Sequence, residues 1–270
     1  MSALDSTLAA FILMLLAGGS GVLLARHLPE DYVSEPSLKN LRIGMALVGT
    51  MSSLLLGLMI NSSRYNYSEA YSDVQKYSAA IQVTDLELLS FGAKACQARK
   101  DLQGYVRQLI KGTWNADAGT PTADGAASDA SLAELLRFYG EVRQLNALTD
   151  DQRQARSSLI SLSRQLMEYH WKVGGVARTV NPTAFIAVVI SWFCLIFLYL
   201  GVFAPRNPVV FVGQVLAMAA ISGAIFLVKE MGEPFSGPVQ VSPAPLQLLA
   251  DQMTVKPCPE LGSPHDPTAQ

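Results

Sequence analysis

Four long apolar segments without a charged residue constrain most strongly what this 270-residue chain can fold into. None of them contains Asp, Glu, Lys or Arg; they run from Ser6 to Ala25, Ile43 to Ser63, Thr179 to Pro205 and Asn207 to Val228. About 20 apolar residues in a helix span the hydrocarbon core of a bilayer. Hydrocarbon offers the backbone no hydrogen-bond partner, so a spanning segment must be helical. The sequence therefore predicts an all-α integral membrane protein whose first partner is the lipid bilayer.

The segments and their flanking residues place the four predicted transmembrane helices. We assign them to residues 6–25, 43–63, 182–203 and 208–228. Asn181-Pro182 and Asn207-Pro208 both match an N-cap residue followed by proline at the first helical position. Pro205 to Pro208 is then a short turn, and the last two spans form a hairpin.

The orientation in the membrane is only weakly encoded. An even number of spans places both termini and residues 64–178 on one side. The basic residues near the membrane are divided almost equally between the two sides, so a rule based on Lys and Arg asymmetry does not decide. The cysteines, Cys96, Cys194 and Cys258, do not form the even set that is typical of a disulfide-stabilised external domain. We expect a multi-pass protein of the inner (cytoplasmic) membrane with the termini and residues 64–178 in the cytoplasm.

The segment between the second and third spans, residues 64–178, is predicted to be a helical cytoplasmic domain. Apolar residues recur at helical spacing from Tyr71 to Leu89, so the second span should continue as one helix until Gly92. Three more helices are predicted at 95–113, 131–148 and 149–175. The last two open with capping boxes, Ser131-Leu-Ala-Glu134 and Thr149-Asp-Asp-Gln152.

Two stretches outside these helices are predicted to be irregular. Residues 115–128 contain Ala, Gly, Asp, Thr and Pro without a bulky apolar residue, which is typical of a flexible loop. The C-terminal segment, residues 229–270, is rich in proline. We expect Pro234 to Leu246 to pack on the helical domain and the end of the chain to be disordered.

A stripe of small and polar residues in the second span is the main candidate for a functional site. Gly49, Ser53, Gly57 and Asn61 follow one another at four-residue spacing and so lie on one helix face, with Thr50 beside them. The stripe can serve close helix–helix packing, which has more precedent. It can also be a pore wall whose hydroxyl and amide groups bind water or ions. In a symmetric oligomer the two interpretations are not exclusive.

Several other function classes are disfavoured by what the sequence lacks. The spans contain no Asp, Glu, His, Lys or Arg, and proton-coupled transporters usually need such a buried relay. The three histidines are far apart and not at ligand spacing from a cysteine, so no metal site or cofactor is predicted. There is no G-x-S-x-G or H-E-x-x-H motif, and we predict neither an enzyme nor a nucleic-acid binder.

Two smaller motifs are interpreted as packing elements. The glycine-rich run Ala17 to Gly21 lies inside an apolar span, where close helix packing explains it better than phosphate binding. Tyr169-His170-Trp171 is predicted to lie at the surface or at an interface and not to form a ligand cage.

Several stretches resemble a bacterial family of membrane proteins of unknown function that is described as bestrophin-like. They are Leu54–Ser63, Ala98–Val106, Leu200–Pro208, Ser222–Leu227, Pro234-Phe235-Ser236-Gly237 and Val241–Leu246. The resemblance covers residues 43–253. It implies a bestrophin-like fold and a homo-oligomer, a pentamer by analogy, with a central pore lined by the second helix. It also implies cytoplasmic termini and passive flow of chloride or other small anions.

One departure from the family pattern affects the motif Pro234 to Gly237, whose role we expect to be structural. The family usually has an acidic residue and an arginine directly before it, whereas this chain has Gly232 and Glu233. A salt bridge there cannot be assumed, and Glu230 and Lys229 are the nearest remaining charges. The acidic cluster that senses calcium in animal bestrophins has no counterpart, so calcium gating is not predicted.

The alternative function is a membrane-anchored scaffold whose 64–178 helices bind a partner.

Overall fold

The computed structural model describes residues 3–27, 35–114, 121–176, 183–205, 207–235 and 237–255. Within these ranges the chain is helical and contains no strand, which confirms the all-α prediction. The α-helices are α1 Ala3–Leu24, α2 Glu35–Phe91, α3 Cys96–Trp114, α4 Pro121–Gln144, α5 Asp150–Val176, α6 Thr183–Phe203, α7 Pro208–Gly232 and α8 Ala244–Val255. A short 3-10 helix, Ala93–Ala95, precedes α3.

The chain divides into two compact units. The first unit comprises Met1–Tyr67 and Val180–Gln240, and the second comprises Ser68–Thr179 and Val241–Gln270. The first unit therefore contains α1, α6, α7 and the N-terminal part of α2. The second contains the rest of α2 together with α3, α4, α5 and α8.

The first unit holds the membrane-spanning helices. By length and composition, four helices in the described ranges can cross a membrane, namely α1, α2, α6 and α7. Helix α1 packs on α6 and α7. Their shared core consists of Met14, Val189, Phe193, Phe197 and Met218.

Helices α1 and α6 cross at glycine. A Cβ atom on Gly21 would overlap the carbonyl oxygen of Leu198 and lie 3.1 Å from the Cα of Gly201. A Cβ on Gly201 would in turn overlap the carbonyl oxygen of Gly18. Small residues allow two helix backbones to approach in this way. The packing interpretation of the glycine-rich run is therefore confirmed.

Helix α2 is one continuous helix of 57 residues. At 1.5 Å per residue it is about 85 Å long. It ends at Phe91 because Gly92 adopts φ 86°, a left-handed conformation that favours glycine and stops helices. The predicted continuation of the second span as far as Gly92 is confirmed.

In the second unit the structure confirms one predicted capping box and corrects the other. The backbone N–H of Gln152 donates to Thr149 Oγ1 over 3.2 Å, and the backbone N–H of Thr149 donates to Gln152 Oε1 over 3.4 Å. By contrast, α4 begins at Pro121, so Ser131 lies inside the helix and is buried. The helix also ends at Gln144, earlier than predicted.

The corrected start of α4 shortens the predicted flexible loop 115–128. Residues 121–128 belong to the helix, and residues 115–120 lie outside the described ranges. Proline has a backbone angle that suits the first helical turn, and alanine has the highest helix propensity. These preferences suffice for a helix without the apolar periodicity on which the prediction relied.

The C-terminal segment contains an unpredicted helix, α8, in the second unit. Trp114 Nε1 donates to the carbonyl oxygen of Val241 over 2.7 Å, and Ser78 Oγ donates to that of Pro245 over 3.2 Å. The predicted packing of this segment on the helical domain is thus confirmed from Val241 onward. Pro234 belongs to the first unit instead, and the end predicted to be disordered, 256–270, lies outside the described residues.

Of the two predicted N-caps that precede a proline, the structure describes the one at Asn207. At the start of α7, Asn207 Oδ1 accepts a hydrogen bond of 3.0 Å from the backbone N–H of Val209, and Pro208 is the first helical residue. This N-cap is confirmed. Asn181 and Pro182 lie outside the described residues.

Candidate functional site

The spanning part of α2 is much less covered by the rest of the chain than the other spans are. In the 18-residue apolar stretch of each spanning helix, only 6% of the residues of α2 are buried, against 22% in α1, 22% in α6 and 17% in α7. One face does pack on the core of the first unit, through Leu55, Leu56 and Met59. Ser52, on the same face, is fully buried. The remaining faces of α2 are open in a single chain.

The predicted stripe lies mainly on an open face of α2. Thr50, Ser53, Gly57 and Asn61 are exposed. A Cβ on Gly57 would meet no atom within 4 Å, whereas one on Gly49 would lie 3.9 Å from Ile196 Cδ1. Within one chain, the packing interpretation therefore holds at Gly49 alone.

The polar groups of the stripe are available for interactions beyond this chain. Thr50 Oγ1 donates to the carbonyl oxygens of Ala46, over 2.6 Å, and Leu47, over 3.2 Å. Its oxygen keeps free acceptor capacity. The Ser53 hydroxyl and the Asn61 amide form no hydrogen bond with any described residue. The stripe thus presents a hydroxyl donor and an amide donor on an uncovered helix face.

Arg64 extends the stripe and was missed in the sequence analysis. It follows Gly57 by seven residues, about two helical turns, and so lies on nearly the same side of α2. Its side chain is exposed and forms no ion pair with the described part of the chain. It is also the first charged residue after Arg42. The spacing of seven from Thr50 through Gly57 to Arg64 is the signal that could have identified it.

The described residues of the motif Pro234 to Gly237 form a turn beside the end of α7. Gly237 has φ 84°, and a Cβ there would overlap the carboxylate of Glu230. Pro234 and Phe235 are buried, and Ser236 lies outside the described residues. The motif therefore requires glycine at position 237 both for its backbone conformation and for space.

Glu230 is the charged residue that lies against this motif. Its side chain is only 3% exposed and accepts a hydrogen bond of 3.4 Å from the backbone N–H of Val239. Lys229 points elsewhere and donates to Ser6 Oγ over 2.9 Å. Of the two charges nearest to the altered family positions, Glu230 is the one that contacts the turn.

In the second unit a buried ion pair joins the family-like stretch at 98–106 to α2, and hydrogen bonds join the same stretch to the C-terminal helix α8. Arg99 Nε donates to Asp85 Oδ1 over 2.6 Å, and Arg99 Nη2 donates to the carbonyl oxygen of Met253 over 3.2 Å. Gln103 Nε2 donates to the same carbonyl over 2.7 Å. Removing one partner of a buried pair usually costs about 3–5 kcal/mol. This cluster stabilises the fold and contains no reactive arrangement.

The state of the cysteines corrects the argument that the cysteine pattern supports a cytoplasmic location. Cys96 is disulfide-bonded, and Cys194 is free. Because disulfides are rare in the cytosol, the cysteine pattern no longer supports a cytoplasmic location for this unit. In the described part of the chain, no group of three or more His, Cys, Asp or Glu side chains is arranged to hold a metal ion.

Comparison with known proteins places this geometry among bacterial membrane proteins. The sequence profile of the Bestrophin-like domain matches residues 12–246. No curated protein sequence matches the chain.

Among solved structures, a bacterial bestrophin homologue from Klebsiella pneumoniae superposes with a TM-score of 0.67 at 15% identity, over 91% of this chain and 95% of that chain. A substitution variant of that homologue has a TM-score of 0.65 at 14% identity, over 93% and 97% of the two chains. A second variant has a TM-score of 0.64 at 15% identity, over 95% and 99%. Similarity at these identities concerns the fold.

Proposed function

Because this chain belongs to the Bestrophin-like domain family, we propose that it is a passive anion channel, formed by a homo-oligomer around the open face of α2. The observation that carries the proposal is the exposure of Ser53, Gly57 and Asn61 on the least covered span of the first unit. A pentamer is the assembly that the bestrophin analogy implies. Five copies of α2 around one axis would turn the stripe into a continuous wall.

The chemistry of the stripe suits a passive anion pore. A small anion that sheds part of its hydration shell needs hydrogen-bond donors, which the Ser53 hydroxyl and the Asn61 amide supply. Gly57 keeps the wall wide at its level because it has no side chain. The predicted spans carry no Asp, Glu, His, Lys or Arg for coupling transport to protons, which favours passive flow over active transport.

The apolar neighbours of the stripe support an oligomer. Leu47, Leu54 and Leu58 are exposed on an adjacent sector of α2, at 61%, 63% and 58%. In a bilayer these side chains face either lipid or a neighbouring copy, and both are compatible with a ring of α2 helices.

Arg64 is proposed to set the preference for anions at the end of the stripe. A ring of arginines favours anions in a pore, and a ring of acids favours cations. A unit charge acts on an ion 4 Å away with about 1 kcal/mol even in a water-like dielectric, so Arg64→Glu should change the chloride-to-potassium permeability ratio at least about fivefold. The reversal potential across a planar bilayer in a KCl gradient measures this ratio.

Arg164→Glu, on an exposed face of α5, is the matched charge reversal, and it should leave the permeability ratio unchanged. An unchanged ratio in a conducting Arg64→Glu channel would remove Arg64 from the pore.

The proposed orientation places both termini and residues 64–178 in the cytoplasm of a bacterial inner membrane. The support is the family analogy, and the disulfide at Cys96 argues against it. Orientation therefore needs an independent test. Alkaline phosphatase fused at residue 120 should be inactive and a fluorescent protein there should fluoresce, with the reverse pattern for fusions at residue 30. Active phosphatase at residue 120 would invert the assignment.

The second candidate function is a membrane-anchored scaffold without transport activity. It is favoured by exposed apolar side chains in the second unit, among them Leu86, Leu148 and Leu248. It predicts no ion flux from folded, inserted protein. It also predicts that a specific protein co-purifies with the full chain and is lost when Leu148 and Leu248 are replaced by serine.

A further inference from the structure

A buried cluster of aromatic side chains around His170 joins three helices of the second unit. Tyr77 of α2 and Tyr105 of α3 are fully buried, and His170 of α5 is 3% exposed. The Tyr105 and His170 ring centroids lie 6.0 Å apart, and Tyr77 lies 6.5 Å from Tyr105 and 5.5 Å from Tyr169. We call these four residues the His170 cluster. Of the two locations predicted for this motif, surface or interface, His170 occupies a buried position between helices, whereas Trp171 beside it is exposed.

The hydrogen bond at the centre of the His170 cluster joins two uncharged groups near neutral pH. Tyr105 Oη and His170 Nδ1 are 3.2 Å apart. Burial raises the pKa of the Tyr105 phenol well above its usual value, so this hydroxyl keeps its proton. Burial also lowers the pKa of His170, so the imidazole is neutral.

A proton added to His170 would find no compensating charge among the described residues. Burial is the cause of the downward shift in the His170 pKa, and no acid in the described ranges contributes to it. Asp73 of α2 and Glu168 of α5 act on Lys172 instead. Three acids of the other helices in this unit have their own partners: Asp85 pairs with Arg99, Gln97 of α3 donates to Asp101, and Glu134 of α4 pairs with Arg137.

Protonation also fixes the direction of the hydrogen bond inside the His170 cluster. A charged imidazole has only donors, so Nδ1–H must then donate to Tyr105 Oη. In the tautomer in which Tyr105 Oη donates to Nδ1, the Tyr105 proton would then need another acceptor. An unsatisfied buried polar group and an unpaired buried charge are both costly.

We propose that the His170 cluster is an acid-sensitive lock, which holds the second-unit part of α2 against α3 and α5 when His170 is neutral and releases it when His170 is protonated. The folded state binds this proton less readily than the unfolded state does. The stability that depends on the neutral ring is therefore complete above the unfolded pKa of about 6.5 and is lost as the pH falls below it. The lock does not depend on ion conduction.

Thermal unfolding of the full chain in detergent tests the lock. Between pH 7.5 and pH 5.5 the wild-type Tm should fall by about 3 °C or more beyond the fall seen for His170→Phe, in which the ring is kept and cannot titrate. His27→Phe removes an exposed histidine of the first unit and should keep the wild-type pH dependence. Equal pH dependence of wild-type protein and His170→Phe would overturn the proposal.

Hydrogen exchange provides a readout that does not need a folded His170 variant. In wild-type protein, amides of residues 68–91 should lose protection at pH 5.5 relative to pH 7.5 after correction for the intrinsic exchange rates. Amides of α1 in the first unit should not. Unchanged protection across residues 68–91 at the two pH values would contradict the release of α2.

Discussion

The Gly21→Leu variant will fail to fold, whereas Gly19→Leu will fold like the wild-type protein. A side chain at position 21 would penetrate the backbone of α6 at Leu198 and Gly201, while a Cβ at position 19 would meet no atom within 4 Å. Overpacking usually costs 1–3 kcal/mol, and a clash between two backbones exceeds that range, so we expect a loss of at least about 3 kcal/mol. Helices α1 and α6 would have to separate, and the core around Met14 and Phe197 would open.

Size-exclusion chromatography of detergent-solubilised protein measures this difference. Gly19→Leu should elute as a symmetric peak at the wild-type position, and Gly21→Leu should be absent or aggregated. The two variants carry the same side chain two residues apart on one helix, so a general effect of leucine in α1 cancels. A well-folded Gly21→Leu protein would show that the crossing of α1 and α6 is wrong.

The second large effect concerns conduction and should leave the fold intact. Phenylalanine at position 57 would fill the wall of the proposed pore in every subunit at once, so Gly57→Phe should reduce anion flux at least about tenfold. Within one chain the new side chain meets open space, because no atom lies within 4 Å of a Cβ at Gly57. Protein yield and elution position should therefore remain at the wild-type level. Flux is measured as chloride efflux from liposomes.

Matched variants separate a blocked pore from general damage. Gly213 of α7 is also exposed, and a Cβ there meets no atom within 4 Å, so Gly213→Phe should conduct normally. Ser53→Phe, one turn from Gly57, should lose flux as Gly57→Phe does. Normal flux in assembled Gly57→Phe and Ser53→Phe channels would show that the stripe is not the pore wall.

The spans and the long helix could be predicted because their signals are local. Runs without charge identify spanning helices from composition alone, and Gly92 marks the end of α2 through its left-handed backbone angle. The start of α4 carried no such signal, because residues 121–128 lack the apolar periodicity of a packed helix. Helix α8 was missed because Pro243 stands directly before it and Pro245 in its first turn, and because its buried face has only Leu246, Leu249 and Met253.

The candidate site could be located from the sequence, but its environment could not. Glycine and serine at four-residue spacing suit a packed face and a pore wall equally well, and only the tertiary structure shows that Ser53 and Gly57 are uncovered. Arg64 was overlooked because a charge was taken as the end of the span, although α2 continues beyond it. The burial of His170 could not be read from the sequence, because it depends on Tyr105, which is distant in the sequence.

Chloride efflux from liposomes that contain the purified wild-type oligomer tests the central claim most directly. The measurement compares these liposomes with empty vesicles, after a protease or labelling assay has confirmed that the protein is inserted. If the open face of α2 lines an anion pore, chloride will leave the protein-containing vesicles down its gradient much faster than the empty ones, without ATP or a proton gradient. Efflux at the rate of empty vesicles from inserted, oligomeric protein, at both pH 7.5 and pH 5.5, would contradict the channel and favour the scaffold.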